Sequence, residues 1–274
     1  MITEKPLVAY IAYEPLGINY LKVFLKYYEK FDSGHDHDLL ICFKQFKSKN
    51  NIIDWEKNIK IKYLKFDDSN NLNDFDIGSY FRIAKKYSNR HILFLNTYTR
   101  PNTDNWLKIF INNYNKKIVL GATGSLSSLP SLFFNFFFKQ HSKIQQIKWG
   151  IKHLLHVKLF PNAHLRTTGF FIQAEDLLTL NFDTNKFTKK IETNYFEGGR
   201  NGLSNRLIRK GYKLKLVNSD NKSFDISDWK FSQTFYLGNQ EKLIFRDNMT
   251  DDYNNSNLEE QKKRALYAWG DFNL

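Results

Sequence analysis

Through residues 1–124 the chain alternates short apolar runs with segments of helical period, and few folds accommodate that order. Leu7 to Tyr13 is an apolar run stopped by Glu14-Pro15-Leu16-Gly17, beyond which Ile18, Leu21, Phe24, Leu25 and Tyr28 recur at helical spacing. Asp38 to Phe43 reads as a second buried strand, Ile59 to Tyr63 alternates like a third, and Ile77 to Tyr87 fits a helix ahead of an apolar strand, His91 to Leu95. Asn102-Thr103-Asp104 is expected to cap a helix running to about Tyr114, and Ile118 to Ala122 supplies a further strand. Strands separated by helices pair in parallel, so the expected class is α/β, a doubly wound sheet with its ligands at the carboxyl ends of the strands. The loops after Tyr13, Phe43, Phe66 and Leu95 are expected to line the site.

The last third returns to mixed signals: a strand over Thr168 to Ile172, a short helix from Glu175 to Leu180, a helix from Gly202 to Lys210 closed by Gly211, and a strand from Tyr212 to Val217. A polar stretch, Asn218 to Asp228, follows, and then an acidic cluster between Asp247 and Tyr253 whose bland reading is a solvated turn.

Charge is unevenly spread. Forty-one Lys and Arg against twenty-eight Asp and Glu give a net +13, which favours anionic partners without choosing among phosphates, nucleic acid and acidic lipid. From Asn105 to Ala174 there is no acidic residue, while nine Lys and Arg fall in that span. Within it Phe133, Phe134, Phe136, Phe137 and Phe138 precede a segment with Ile144, Ile147, Ile151, Leu154 and Leu155 on one helical face and lysines between them. Residues 131–160 therefore read either as an inserted helical hairpin packed on the core or as a surface for an anionic membrane with aromatics in the interface. No apolar run reaches the roughly 18 residues needed to span a bilayer, and Met1 to Pro6 lacks the pattern of a secretory signal. The expected location is cytoplasmic, with peripheral attachment to the inner face of the cell membrane as the membrane reading's corollary. The single cysteine, Cys42, lies within an apolar run and reads as core.

Phosphate-binding Gly-x-x-x-x-Gly-Lys, Gly-x-Gly-x-x-Gly after the first strand, Gly-x-Ser-x-Gly and paired-cysteine zinc patterns are all absent from the sequence. His35-Asp36-His37-Asp38 has metal-ligand residue types but sits before a strand, where alternate side chains point to opposite sides.

Asp74 to Phe81, followed by Ile92-Leu93-Phe94-Leu95-Asn96-Thr97-Tyr98-Thr99-Arg100-Pro101, resembles the nucleotide-sugar half of family 2 type GT-A glycosyltransferases, where an apolar strand ends in an Asp-x-Asp motif followed by a Thr-x-Pro turn. His164 to Phe170 resembles the acceptor-side strand, and Phe196-Glu197-Gly198-Gly199-Arg200 leading into Arg206 to Tyr212 resembles the segment holding the catalytic base. The order of motifs is similar to that of bacterial surface-polysaccharide cluster proteins assigned as glycosyltransferases, including a terminal Asp-Asn-x-Thr like Asp247 to Thr250.

The resemblance implies one GT-A-like, Rossmann-like domain over 1–274: a nucleotide-sugar half (1–124), a basic aromatic insertion (125–162), an acceptor half (163–218) and a C-terminal extension (219–274). It implies hexosyl or deoxyhexosyl transfer from a nucleotide-sugar donor to a glycan or lipid-linked acceptor. Glu197 would be the base; Asp67, Asp76, Asn96, Tyr98 and Arg166 would hold the donor; His164 and Arg200 would face the acceptor. Asp-x-Asp carboxylates hold a divalent cation, Mn or Mg, on the diphosphate. Asn96 and Tyr98 cannot supply that charge, so either other acids hold the metal, with Asp67, Asp68, Asp76, Asp247 and Asp251 as candidates, or Lys and Arg neutralise the diphosphate alone. Structural alternatives accompany each assignment: a helix N-terminal charge for Glu197, a helix cap for Asp76 and a buried ion pair for Arg166. Two other classes stay open, a GT-A-like binding protein without catalysis and, with less support, a basic nucleic-acid-binding surface.

Overall fold

The computed structural model describes residues 4–69, 74–135 and 137–270. A central eight-stranded sheet comprises β1 (Leu7–Tyr13), β2 (Asp38–Lys44), β3 (Leu64–Asp68), β4 (His91–Leu95), β6 (Ile118–Gly121), β9 (Gly169–Gln173), β10 (Lys213–Val217) and β11 (Ser223–Phe224), in the order β11-β10-β6-β9-β4-β1-β2-β3. Two-stranded ribbons join β5 (Arg100–Pro101) to β12 (Phe245–Arg246) and β7 (Gly124–Ser125) to β8 (His164–Leu165). The pairs β1–β2, β1–β4, β2–β3 and β6–β10 are parallel.

The continuous apolar character of β1 follows from burial on both faces. Leu7, Ala9 and Ile11 point to one core layer, and Val8, Tyr10 and Ala12 to the other. The second layer is completed by α1 (Asn19–Lys30), α2 (Lys49–Glu56) and α4 (Trp106–Asn113). The first is completed by α3 (Phe75–Lys86), α7 (Ala174–Leu178), α8 (Lys190–Gly198), α9 (Leu203–Arg209) and residues of α10 (Asn248–Asn254) and α11 (Leu258–Trp269). The chain is thus α/β, a mostly parallel sheet flanked by helices, as expected, and Cys42 is fully buried in it.

Four expectations need correction. The third strand is Leu64 to Asp68, because Leu64 registers against Leu40, while Ile59, Ile61 and Tyr63 pack on the core as a non-strand segment. The helix after β4 starts at Trp106 from Asn105 in the left-handed region (φ 60°), and Asp104 instead accepts a 2.9 Å bond from the Asp32 amide. β9 runs antiparallel between β4 and β6, since it is entered from β8 rather than through a crossover helix. Within the polar stretch after Val217, Ser223 and Phe224 extend the sheet as its antiparallel edge.

The insertion folds as a hairpin of α5 (Leu129–Phe134) and α6 (Lys143–Leu154). Phe133 is buried and stacks at 5.4 Å on His153, and Phe137 and Phe138 meet edge-on at 5.3 Å. Phe133 thus packs inside the hairpin, while Phe137 and Phe138 pack on each other half-buried; Phe136 lies outside the described residues. Gly150 lets the helices approach, since a Cβ there would stand 2.5 Å from the Phe134 ring. Gly150→Ala is therefore expected to destabilise the protein by about 1–3 kcal/mol through overpacking. Urea unfolding checks this, and an unchanged midpoint would show that the ring moves aside freely.

Candidate active site

A cleft of about 510 Å³ opens beside the carboxyl end of β4. Its walls come from the loop after β4 (Asn96, Tyr98), the first turn of α3 (Phe75, Asp76), β8 and the turn after it (His164, Arg166, Thr167), α8 (Lys190, Glu197) and the start of α10 (Asn248, Met249). Among the described residues, of the four loops expected to line it the one after Leu95 does so directly and the loops after Tyr13 and Phe43 do not; residues 70–73 of the loop after Phe66 lie outside the described residues.

Asn96 shapes its loop. Its Oδ1 accepts from the Tyr98 amide at 3.0 Å and from the Thr99 hydroxyl at 2.9 Å, an Asx turn that needs a short side chain with an acceptor. The carbonyl oxygen being used, the amide nitrogen remains as a donor, which suits a phosphate oxygen and not a cation. Tyr10 ties the turn down from β1 through a 2.8 Å bond to the Thr97 carbonyl. Tyr98 meets Tyr20 edge-on at 4.9 Å.

Glu197 lies near the end of α8, ahead of the Gly202 N-cap of α9, and its carboxylate is engaged by Thr167. The Thr167 amide and hydroxyl donate to its Oε1 at 2.8 and 2.7 Å, and Oε2 is left for another partner. Asp76 sits in the first turn of α3 without capping it, and burial at the cleft wall pushes its carboxyl up to about 6 against the opposing pull of Lys190 and Lys44. His164 is buried with its Nδ1 2.7 Å from the Asn162 carbonyl, and burial lowers its affinity for a proton. It is thereby held as a neutral ring. Among the described residues Asn162 Oδ1 at the cleft is buried without a hydrogen-bond partner, and the buried Tyr80 hydroxyl lies beside Thr167 without a well-formed bond.

Arg166 proves to be a buried ion pair. Its Nη2 donates to Asp247 Oδ2 at 3.0 Å, and its guanidinium stacks 3.8 Å from the Phe235 ring centre. Burial raises the Asp247 carboxyl, but Arg166, Thr250 and Thr168 outweigh it and hold the group below the ordinary range. Asp247 caps α10 in a capping box with Thr250, so the acidic cluster opens a helix whose cap is buried, with Asp251 half-buried and Asp252 exposed.

Three expected residues lie outside the cleft. Asp67 is exposed and accepts from Ser69 at 2.6 Å. Arg200 donates to the Leu154 carbonyl at 3.2 Å and so ties the hairpin to α8. Asp251 pairs with Arg100 at 2.6 Å. Asp68 joins Asp74, Lys44 and Arg82 in a buried network that fixes the start of α3 and hence Asp76. No three His, Cys, Asp or Glu side chains gather among the described residues, including at His35 to Asp38. Among the described residues Asp247 and Asp251 are engaged by Arg166 and Arg100 and Asn96 offers an amide, which leaves Asp76 as the carboxylate of the expected metal candidates still open to the cleft. Lys190, which carried no motif signal, is the cationic side chain of α8 on the cleft wall.

Asp76 gives a pH prediction. Its folded-state affinity for a proton is raised, so a cost in stability builds as pH rises from its ordinary value of 3.8 and is complete above about 6. Asp76→Asn is expected to raise stability above pH 6, the gain vanishing as pH falls towards 4. Thermal melts across that range check it; a gain independent of pH would contradict the assignment.

No family model and no curated protein matches the chain. Among solved structures it is similar to the mannosyltransferase Ktr4p from S. cerevisiae in complex with GDP, at 12% identity and TM-score 0.38, over 76% of this chain and 65% of that one. It is also similar to the WbbM bifunctional glycosyltransferase, at 8% identity and TM-score 0.40, over 77% of this chain and 38% of that one. A third, core-mannan synthase A from Aspergillus fumigatus in an Mn/GDP form, is 7% identical with TM-score 0.40, over 82% and 75% of the two chains. The chain thus spans just under two thirds of the first of these.

Proposed function

We propose that the chain transfers a sugar from a nucleotide-sugar donor to a hydroxyl of a glycan or lipid-linked acceptor, in surface-polysaccharide synthesis. The observation that carries this reading is the placement of Glu197 Oε1 on two Thr167 donors, which presents the second carboxylate oxygen in the same cleft as Asn96 and Lys190. The resemblance of Asn96 to Pro101 and of Phe196 to Arg200 to the donor and base segments of GT-A enzymes assigns the two ends of that cleft.

In the proposed step Glu197 accepts the proton of the acceptor hydroxyl as that oxygen bonds to the anomeric carbon. The bond from that carbon to the diphosphate oxygen breaks, and its electron pair leaves with the phosphate. Asn96 and Lys190 hold the diphosphate, Tyr98 and Asp76 contact the nucleoside side, and His164, neutral, faces the acceptor. Arg166 acts indirectly, by anchoring Asp247 and the start of α10. The leaving charge is met by nitrogen donors, and a Mn or Mg ion is not required.

Thermal stabilisation by a panel of nucleoside diphosphates, with Mn, Mg or chelator, tests the reading, because a ligand of the folded state raises stability by RT ln(1 + [L]/Kd). A shift with one nucleotide that survives chelator is expected. A shift that needs metal would overturn the metal-free assignment, and no shift at all would overturn the nucleotide site. Binding without turnover would assign the chain to a non-catalytic GT-A-like binding protein.

A further inference from the structure

Helix α6 packs on the fold by one face and leaves an aliphatic face on the other side. Gln146 and Gly150 are buried against α5. On the other side Ile144, Ile147, Ile151 and Leu155 are 80, 43, 57 and 75% exposed. At 100° per residue those four positions fall within an arc of about 80°, so they form one stripe along the helix and its C-cap. An ordered row of large aliphatic side chains in water marks an interaction surface.

Its borders say what covers it. Lys148 and Lys152 project along one edge and Lys143 along the other, and the residues from 105 to 174 contain no acid. Lysine stems can lie along an apolar surface while their heads reach anionic groups at its margin. A second copy of the chain would set lysine against lysine. No helix of the described residues is long and apolar enough to cross a membrane. We infer that the exposed face of α6 docks the protein on the surface of an anionic lipid bilayer, with the stripe at the headgroup boundary and the lysines on acidic headgroups. The hairpin that carries the stripe and the segment after it also wall the cleft, through Leu129 and Val157, so docking would hold the cleft close to the bilayer surface.

Co-sedimentation with vesicles of phosphatidylcholine alone, and of three parts phosphatidylcholine to one part phosphatidylglycerol, tests this without any nucleotide and apart from the transferase reading. Binding to the anionic vesicles only is expected. Lys148→Glu with Lys152→Glu should weaken it by at least about fivefold per lysine, and Ile144→Asn with Ile151→Asn should abolish it while the melting temperature is unchanged. Wild-type protein that ignores anionic vesicles, or variants that bind as well as wild type, would overturn the inference. So would a dimer that the isoleucine variants convert to monomer by light scattering, or retention by single-stranded oligonucleotide in preference to vesicles.

Discussion

Glu197→Gln is expected to lower turnover by about 10²–10⁴-fold while leaving nucleotide binding intact. The substitution keeps an oxygen for the Thr167 amide and hydroxyl, which now both bond to Oε1, so the local packing of α8 is retained. It removes the only feature the proposed step needs from this side chain, an oxygen able to take the acceptor proton, and general-base contributions are of that size. Steady-state rates together with nucleotide-induced melting shifts read the two properties separately. A variant with normal turnover would remove Glu197 from the step; one that fails to fold would be distinguished by its melt, and Thr167→Val, which loosens the carboxylate without neutralising it, should then give an intermediate loss.

Lys44→Met should destabilise the protein by about 3–5 kcal/mol, the usual cost of leaving a buried charge without its partner. The Lys44 side chain is fully buried and reaches Asp74 and, at 3.4 Å, Asp68. Arg82 spans the same two carboxylates, with its Nε 2.6 Å from Asp68 and its Nη1 2.5 Å from Asp74. Without Lys44, two buried carboxylates share one cation. Burial raises the Asp74 carboxyl, but its bonds to Arg82 and Lys44 outweigh that and hold it below the ordinary value of 3.8. A depressed carboxylate stabilises the fold above its unfolded-state value and loses that contribution as pH falls through the folded one. Wild-type stability should accordingly fall on the acid side of pH 4, and the fall should be shallower in Lys44→Met. Urea unfolding at neutral and acid pH checks both; a loss under about 1 kcal/mol would show that Arg82 alone suffices.

The parts of the fold legible in the sequence were those set by local pattern. β1, β2 and β4 are unbroken apolar runs because both sheet faces are covered, and such runs stand out from any flanking segment. Strand direction leaves no trace in a run of five residues, so Gly169 to Gln173 was visible as a strand and its antiparallel course was not. The candidate site was legible by segment more than by side chain. Asn96, Tyr98, Asp76, His164, Arg166, Glu197 and Asp247 meet in one cleft, whereas Asp67 and Arg200 come from similar segments and point elsewhere. Which member of such a segment faces the cleft is decided by contacts across the chain: Arg166 finds Asp247 81 residues away. Lys190 and Asn162 carried no signal, because an ordinary lysine or asparagine acquires meaning only from what surrounds it in the fold.

The central claim is tested most directly by measuring nucleoside diphosphate released from a panel of nucleotide sugars, in chelator, with simple sugars and lipid-linked saccharides supplied as acceptors. Release from one donor class, dependent on an acceptor and lost in Glu197→Gln, is the predicted result. Absence of release from every donor, by protein whose melt shows it folded, would contradict it.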